Sequence, residues 1–252
     1  MAFALAKGMK NRFNGIRIFF TDPVEERMNL FKNETDENGA CAGAEEVCRA
    51  AQIVFICVKP QAKESVLPLL AAAEKPVVSI MAGVPIAVLA KAMPKAEIIR
   101  VMPNLNCLVG ASASAFSCAS SVTEAHRESV RRLLSASGTA TEVEEPLLDA
   151  VTGLSGSGPA FAARLMSYFI HAGEEAGLSR KTAVELTRQT FLGTVQFLNE
   201  TGIDEETLIE RVSSPGGTTV AGRQVLESSE AERIVRDTVA AAVERSRELG
   251  KM

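Results

Sequence analysis

Residues 212–219 combine hydroxyl side chains and glycines at a break between two helical patterns. They contain, in chain order, one proline, two glycines and two threonines: Pro215, Gly216, Gly217, Thr218 and Thr219. The proline ends the first helix because its nitrogen carries no hydrogen, and the glycines let a ligand approach the backbone closely. The threonines begin a helix whose first amides are unpaired and partly positive, which suits a bound carboxylate. The alternative is a plain corner between two helices, capped by a threonine.

The composition indicates a soluble globular protein of one or two domains. The chain has 252 residues, 46% of them apolar, and a net charge of −4. Lys and Arg are scattered, and one Tyr and no Trp are available for base stacking, so nucleic-acid binding is not expected. No apolar run approaches the ~20 residues of a membrane span, and the first residues lack the pattern of a signal peptide. We therefore expect a cytoplasmic protein that does not bind membranes.

The cysteines and histidines form no pattern typical of a metal site or a catalytic triad. The five cysteines include no close ligand pair and leave one unpaired, so reduced thiols are expected rather than disulfides. His126 and His171 lie far apart, each within a helical pattern. Neither a zinc site nor a histidine-based triad is therefore expected.

Strands alternate with helices along the first part of the chain. Apolar runs predict strands at 16–20, 53–58, 77–80 and 98–101, and residues 141–145 look like a last strand. Helical patterns lie at 2–9, 25–32, 45–51, 62–73, 85–93 and 123–137. Because the run at 53–58 is apolar on both faces, it is typical of a strand buried in a parallel sheet. The alternation predicts an α/β fold with a doubly wound, Rossmann-like parallel sheet.

Polar or glycine-bearing residues follow four of these strands, at 21–22, 58–60, 81–83 and 102–104. Ligands of doubly wound sheets bind at the carboxyl ends of the strands, so these residues predict a nucleotide site. Asp22 lies where an acid would accept a hydrogen bond from a ribose 2′-hydroxyl and repel a 2′-phosphate. Alternatively, Asp22 only ends a strand or caps a helix.

Helical patterns alone continue after Pro146, at 160–176, 182–199, 205–212 and 231–249. The first of them is apolar on nearly all sides and has to be buried. A helical domain of roughly a hundred residues buries little surface alone, so we expect a homodimer. The sequence thus predicts a sheet domain at 1–146 and a helical domain at 147–252.

The glycine-rich residues 153–158 have two interpretations. Their sequence, GLSGSG, could form a phosphate-binding loop, but no strand precedes it. We favour the second interpretation, the entry of a helix that packs closely against neighbouring backbone, with Pro159 at its first turn.

Together these motifs resemble the pyrroline-5-carboxylate reductase family over essentially the whole chain. The most specific blocks are residues 149–160, DAVTGLSGSGPA, and residues 212–219, VSSPGGTT; residues 58–60, 82–83 and 102–104 agree as well. The resemblance implies reduction of 1-pyrroline-5-carboxylate to L-proline, the last step of proline biosynthesis, by hydride transfer from NADH or NADPH. It also implies an NAD(P)-binding domain followed by a helical domain that interlocks two subunits, often in a ring of dimers.

The resemblance also assigns roles to residues. It predicts these cofactor-binding residues: Thr21, Asp22, Cys57, Val58, Lys59, Pro60, Ile80, Met81, Ala82 and Asn104. It predicts these substrate-binding residues: Glu145, Ser214, Gly216, Gly217, Thr218 and Thr219. Thr219 is the expected catalytic residue, whose hydroxyl donates to the ring nitrogen while Thr218 binds the carboxylate. Because a threonine hydroxyl is a weak acid, Thr219 is expected to orient the substrate and relay a proton.

The chain departs from the family pattern in a few places. The family begins with a strand and a Gly-x-Gly-x-Met turn, whereas residues 1–8 match only the helix after that turn. We therefore expect the strand and the turn to precede these residues in the natural protein. Asp22 stands where members that prefer NADPH have a small or basic residue, which favours NADH. Ala44 and Arg211 replace asparagines, and residues 105–106 replace a Thr-Pro pair.

Two alternative functions stay open. The chain could be a reductase or dehydrogenase of another cyclic imino acid. It could instead be a catalytically impaired subunit, truncated at its amino terminus, that binds partners through its helical domain.

Overall fold

The computed structural model describes residues 1–35 and 37–250. The α-helices are α1 Ala2–Arg12, α2 Glu25–Glu34, α3 Ala44–Ala50, α4 Lys63–Val66, α5 Ile86–Ala92, α6 Glu124–Ser135, α7 Leu148–Val151, α8 Gly158–Glu175, α9 Arg180–Thr201, α10 Glu205–Val212, α11 Thr218–Glu227 and α12 Ala231–Gly250. The strands are β1 Val54–Ile56, β2 Pro76–Ser79, β3 Glu97–Met102, β4 Ser112–Cys118 and β5 Gly138–Glu142. Short 3₁₀ helices lie at Glu37–Gly39, Pro60–Ala62, Leu67–Leu70, Leu105–Val109 and Glu145–Leu147, and Thr152–Gly156 forms a π-helical turn.

The five strands form one sheet in the order β1-β2-β3-β4-β5. The first three strands are parallel, β4 runs antiparallel to β3, and β5 runs parallel to β4. In the register of the parallel strands, Val54 lies beside Val77, and Val77 lies beside Ile98. The carboxyl ends of β1, β2 and β3 therefore meet at one edge of the sheet.

Hydrophobic cores cover both faces of this sheet. Val77 and Ile98 point to one face, where they pack with side chains of α5 and of the 3₁₀ helix Leu67–Leu70. Val78 and Ile99, the next residues along each strand, point to the other face and pack with α1 and α6. The prediction of a doubly wound α/β fold is thereby confirmed.

The chain divides into two units. The first comprises Met1–Pro159 and the chain from Val239 onward, and the second comprises Ala160–Thr238. In the second unit the rings of Phe169 and Phe191 meet edge to face, 5.3 Å apart. Its large exposed apolar side chains are Leu165, Tyr168, Phe169, Leu178, Leu186, Leu192, Val195, Phe197, Val212, Val225, Leu226, Ile234 and Val235. None of the helices formed by the described residues is long and apolar enough to cross a membrane.

Two predicted elements of the first unit are wrong in detail. The predicted strand at 16–20 reduces to one parallel bridge between Phe20 and Ala40. In this bridge the Phe20 amide donates to the Gly39 carbonyl oxygen and the Cys41 amide donates to the Phe20 carbonyl oxygen, each at 2.9 Å. The predicted helix at 62–73 breaks into α4 and a 3₁₀ helix. The break coincides with Pro68, which cannot donate a backbone hydrogen bond to the preceding turn.

Strand β4 was not predicted from the sequence, and β5 begins three residues earlier than predicted. β4 reads SASAFSC, and its serines Ser112, Ser114 and Ser117 are all buried. Serine is a weak strand former, so the pattern of β4 lacks the apolar alternation that marks a half-buried strand. Gly138 begins β5 with a φ of +144°, and an added Cβ would lie 2.1 Å from the Ser112 carbonyl oxygen. The close approach of β4 explains why the strand begins at a glycine.

Glu145 fixes α5 to β3. Its Oε1 accepts a hydrogen bond of 2.7 Å from the backbone amide of Ile86, the first residue of α5. The same oxygen lies 3.2 Å from Nη1 of Arg100, whose side chain is only 8% exposed within the sheet. A carboxylate at a helix amino terminus is stabilised by the free amides, and here it also neutralises a buried guanidinium.

Replacing Glu145 tests this interaction. Glu145→Ala leaves Arg100 without its carboxylate and Ile86 without an acceptor, so we expect the free energy of unfolding to fall by about 2–3 kcal/mol. Glu145→Gln retains an acceptor for Ile86 and is expected to lose about half of that. Urea unfolding measures both variants against Glu144→Ala, the exposed neighbour, which should change stability by less than about 0.5 kcal/mol. Equal stability of Glu145→Ala and Glu144→Ala would contradict the assignment.

Candidate functional site

The predicted cofactor residues follow the three parallel strands. Cys57–Pro60 come directly after β1, residues 80–82 after β2, and Asn104 after β3. Val77 and Val78 inside β2 are completely buried, whereas Val58, Ile80 and Ala82 are half-buried. Lys59 is exposed and makes no ion pair with any described residue. The structure thus brings these residues to one edge of the sheet, where Met81 and Asn104 are buried and the half-buried apolar side chains and backbone groups could hold a flat ring.

Cys57 contributes an uncharged side chain to this edge. Burial raises the pKa of its thiol to about 12, and the neighbouring thiol of Cys107 adds to the rise. A thiol with so high a pKa stays protonated at neutral pH and is a poor nucleophile. Cys57 can therefore line a ligand but is not suited to attack one.

Asn104 is engaged within the protein. Its Oδ1 accepts from the Asn106 amide at 3.2 Å, and its Nδ2 donates to the carbonyl oxygen of Ser155 at 3.1 Å. The residue is 5% exposed. It caps the 3₁₀ helix Leu105–Val109 and links the end of β3 to the π-helical turn. A cofactor contact of the Asn104 side chain, as predicted, would have to form in addition to these two hydrogen bonds.

Thr21 and Asp22 follow the Phe20 bridge, outside the five-stranded sheet. Thr21 is exposed. Asp22 accepts a 2.9 Å hydrogen bond from the Val24 amide through Oδ1, and its Oδ2 lies 3.6 Å from Nη1 of Arg27. The side chain thus closes a turn just before α2 but does not cap the helix, whose N-cap residue is Val24 and has no side-chain cap. The Asp22 side chain is 25% exposed, and Oδ2 keeps room to accept a further hydrogen bond.

Residues 213–217 form a tight turn in the second unit. Gly216 has a φ of +72°, which favours glycine, and the Gly217 amide donates to the Ser214 carbonyl oxygen at 2.9 Å. An added Cβ on Gly217 would lie 2.5 Å from the Ser214 hydroxyl oxygen. Gly216 is therefore favoured by its backbone conformation and Gly217 by close packing against Ser214, and the turn leaves Ser214 and Gly216 exposed.

Helix α11 follows this turn and begins without a side-chain cap. The three helices α6, α9 and α10 each begin with a side-chain cap: Thr123, Ser179 and Asp204, respectively. Helix α11 begins after Gly217 without a cap from the side chain of its N-cap residue, as do α1 to α5 and α7. The hydroxyls of Thr218 and Thr219 are exposed and hydrogen-bond to none of the described residues. These free amides and hydroxyls can accept an anion together with a second polar group.

Some residues of the candidate site carry no sequence signal of their own. The Glu145 carboxylate, predicted to bind substrate, accepts hydrogen bonds from the Ile86 amide and the Arg100 side chain. Arg100 lies 45 positions away in the chain, and no sequence pattern indicates this pairing. Ser213, at the end of α10, has a buried hydroxyl oxygen without a hydrogen-bond partner among the described residues. Only the position of Ser213 inside the serine-rich motif could have indicated it.

The glycine-rich residues 153–158 behave as a helix entry, and the phosphate-loop interpretation is not needed. They pass through the π-helical turn into α8, which begins at Gly158. An added Cβ on Gly153 would lie 2.5 Å from Cγ2 of Val243, and one on Gly156 would lie 3.6 Å from the Met102 sulfur. Close packing thus explains the first of these glycines, as expected from the sequence.

Two surface cavities lie away from the predicted residues. One, of about 400 Å³, is lined by α1 and residues 107–110. The other, of about 240 Å³, is lined by residues of α1 and α6, among them Arg12, Arg131 and Arg132. Neither includes a residue predicted to bind cofactor or substrate. The free polar groups lie instead at two separate places, the strand ends of the first unit and the α11 start of the second.

Two family models and several known proteins match this chain. The model of the pyrroline-5-carboxylate reductase dimerisation family matches residues 145–249, and that of the coenzyme F420-dependent NADP oxidoreductases matches residues 1–83. Pyrroline-5-carboxylate reductase of Synechocystis is 40% identical over 209 residues, 82% of this chain and 78% of that protein. The enzyme of Pseudomonas aeruginosa is 38% identical over 259 residues, 100% of this chain and 94% of that protein.

Solved structures show the same likeness. A pyrroline carboxylate reductase of Plasmodium falciparum with NADP bound is 30% identical with a TM-score of 0.85, covering 98% of this chain and 93% of that one. A pyrroline-5-carboxylate reductase of Coxiella burnetii is 28% identical with a TM-score of 0.92, covering 100% and 95%. These likenesses in sequence and structure extend along essentially the whole chain, which belongs to the pyrroline-5-carboxylate reductase family.

Proposed function

We propose that this protein reduces 1-pyrroline-5-carboxylate to L-proline with NAD(P)H. The observation that carries the proposal is the start of α11, within one of the two most specific family motifs, where free amides lie beside two hydroxyls that bond to no described residue. The relatives that match over most of the chain are pyrroline-5-carboxylate reductases. Neither alternative, another cyclic imino acid or an impaired binding subunit, is favoured by these relatives.

The substrate carboxylate would bind at the α11 amino terminus. The amides of Thr218, Thr219 and Val220 have no intrahelical acceptors, and the helix dipole places partial positive charge there. The Thr218 hydroxyl adds a donor for a carboxylate oxygen. Gly216 and Gly217 allow this approach because neither has a side chain in front of the amides.

Thr219 would act on the ring nitrogen. Its hydroxyl donates a hydrogen bond to that nitrogen and relays a proton to it, which orients the adjacent carbon. When bound, the reduced nicotinamide supplies a hydride to that carbon. Ser214 and Glu145 complete the proposed substrate residues. Because Glu145 is bound to Ile86 and Arg100, it would act chiefly through the position of α5.

The first unit would hold the cofactor at its strand ends. Half-buried Val58, Ile80 and Ala82 suit one face of a nicotinamide ring, with Cys57, Pro60, Met81 and Asn104 as neighbours. Lys59 can neutralise a phosphate. Thr21 and Asp22 would contact the adenosine ribose, and the Asp22 carboxylate favours NADH because it repels a 2′-phosphate.

The protein would act as a homodimer in the cytoplasm, and the family resemblance implies that such dimers can extend to a ring. Residues 145–249 match a dimerisation family, and the second unit exposes many large apolar side chains. An apolar surface of that kind is typical of a subunit interface. The five cysteines are all free, which suits a reducing compartment.

Substitution of Thr219 tests the catalytic assignment. We expect Thr219→Ala to lower kcat/KM for pyrroline-5-carboxylate by about 10²-fold, while Thr219→Ser, which keeps the hydroxyl, stays within about tenfold of the wild type. NADH oxidation measures the rate, with other cyclic imines as competing substrates. Thr201→Ala is the matched control, since that exposed hydroxyl bonds only the Phe197 carbonyl oxygen of its own helix. An unchanged rate for Thr219→Ala, or faster turnover of another imine, would refute the assignment.

Asp22 tests the cofactor preference. Asp22→Asn keeps an oxygen for the Val24 amide but removes the charge, so the ratio of kcat/KM for NADPH to that for NADH should rise by about tenfold. The same change at Asp204, which caps α10 through the Thr207 amide, serves as the control and should leave the ratio unchanged. If Asp22→Asn leaves the ratio at its wild-type value, Asp22 does not contact the ribose.

The exposed face of α9 tests dimerisation. Sedimentation of the wild type should give at least twice the monomer mass of 26.8 kDa. Leu192→Glu combined with Val195→Glu places two charges on an apolar surface and should shift the protein towards the monomer. Thr190→Glu, an exposed polar position on another side of the helix, should leave the mass unchanged. A monomeric wild type would rule out the proposed dimer.

A further inference from the structure

The last part of α12 presents one continuous stripe to the first unit. The stripe consists of Val239, Val243, Ser246 and Gly250, which recur at the spacing of one helix face. Eleven residues of helix separate its ends, a length of about 16 Å at 1.5 Å per residue. All four contact residues of the first unit, so this end of the chain belongs to the structure around the sheet.

Gly250 packs directly on the turn after β2. An added Cβ on Gly83 would lie 2.8 Å from the Gly250 nitrogen and 2.9 Å from its Cα. In the opposite direction, an added Cβ on Gly250 would lie 3.0 Å from the Gly83 carbonyl oxygen. Gly83 also has a φ of +74°. Two backbones therefore meet without side chains between them, directly beside Met81 and Ala82.

Ser246 and Val243 fix the helix in this position. The Ser246 hydroxyl donates to Asp149 Oδ1 at 2.6 Å, and Ser246 is only 4% exposed. One turn earlier, Val243 packs on Gly153 so closely that a Cβ there would lie 2.5 Å from its Cγ2. The helix is thus attached to α7 and the π-helical turn before it reaches Gly83.

The turn after β2 is held at its other end by Glu145. The carboxylate accepts from the amide of Ile86, the residue with which α5 begins. Contacts at Gly83 and Ile86 therefore hold residues 83–86, which directly follow Met81 and Ala82. Because packed backbone cannot yield as a flexible side chain can, a small shift at Gly250 has to move the turn.

We propose that residues 239–250 are a positioning element, which sets where the turn at Met81–Ala82 holds the nicotinamide ring. Ser246 and Asp149 are its positioning residues, and Gly250 is the contact through which it acts. The role rests on the proposed function, since it assumes that the nicotinamide half of the cofactor binds at this turn. The adenosine half, assigned to Thr21 and Asp22, is predicted not to depend on it.

The test uses the full chain and compares two ligands. NADH contains the nicotinamide ring and ADP-ribose lacks it, so a displaced turn weakens NADH binding alone. We expect Gly250→Ala to raise the NADH dissociation constant several-fold and to lower kcat by about tenfold, since small misplacements of reacting groups are costly. The ADP-ribose dissociation constant should match that of the wild type. Isothermal titration measures both constants without any turnover.

A second series of variants tests the hydrogen bond between Ser246 and Asp149. Ser246→Ala and Asp149→Ala should show the same selective loss for NADH, smaller than that of Gly250→Ala. Asp149→Asn, whose Oδ1 can still accept from Ser246, should restore wild-type NADH binding. Glu244→Ala is the matched control, since Glu244 lies exposed on another face of the same helix and pairs only with Arg247.

Three results would overturn the positioning role. They are unchanged NADH binding in Gly250→Ala, equal weakening of NADH and ADP-ribose, and failure of Asp149→Asn to restore what Asp149→Ala loses. Absence of imine reduction by the wild type would refute the proposed function instead. In that case the comparison of NADH with ADP-ribose would still decide whether the helix positions the turn.

Discussion

Burial of both faces of the sheet is the constraint on which the rest of the structure depends. Val77, Val78, Ile98 and Ile99 are completely buried, two on each face. Few polar side chains fit along such strands: Ser79 of β2 is fully buried, and Arg100 of β3 is paired with Glu145. Accessible functional groups follow such strands where they end, and the parallel pairing of β1, β2 and β3 brings those ends together. The candidate cofactor edge is thus a consequence of how the core is built.

The amino termini of α5 and α11 differ in whether a side chain satisfies the first amides. At α5 the first amide is satisfied by Glu145, which also compensates a buried arginine, so that helix start is closed to a ligand. At α11 the first amides face solvent without a side-chain cap. Water can satisfy exposed amides, and a carboxylate can replace that water with a gain from the helix dipole. The closed terminus holds the architecture, and the open one is available for binding.

Sequence patterns predicted the elements whose structure depends on residues close together in the chain. The run at 77–80 is apolar except for Ser79, and it forms β2 at Pro76–Ser79 because burial on both faces favours such a run. The helices after residue 158 follow their apolar spacing closely, and the turn at 213–217 follows from Pro215, Gly216 and Gly217. The run at 16–20 looked equally apolar yet formed one bridge, because a strand also needs a partner for its backbone.

Contacts between distant positions could not be predicted in this way. Glu145 and Arg100 lie 45 positions apart, and Ser246 and Asp149 lie 97 apart. No spacing rule connects such residues, and each alone is an ordinary polar side chain on a helix or strand. The contact of Gly83 with Gly250 is less visible still, since it involves no side chain at all. Family motifs located the candidate site, but only the fold reveals what holds its parts in place.

The absence of ionisable side chains from residues 212–222 has a physical explanation under the proposed chemistry. The segment reads VSSPGGTTVAG, and its polar side chains are all hydroxyls. An aspartate at Thr218 or Thr219 would cap the α11 amides itself and repel the substrate carboxylate. A lysine would compete for that carboxylate and disfavour a protonated ring nitrogen. A neutral hydroxyl avoids both conflicts, because it can donate to the nitrogen while the positive field of the helix stays available to the carboxylate.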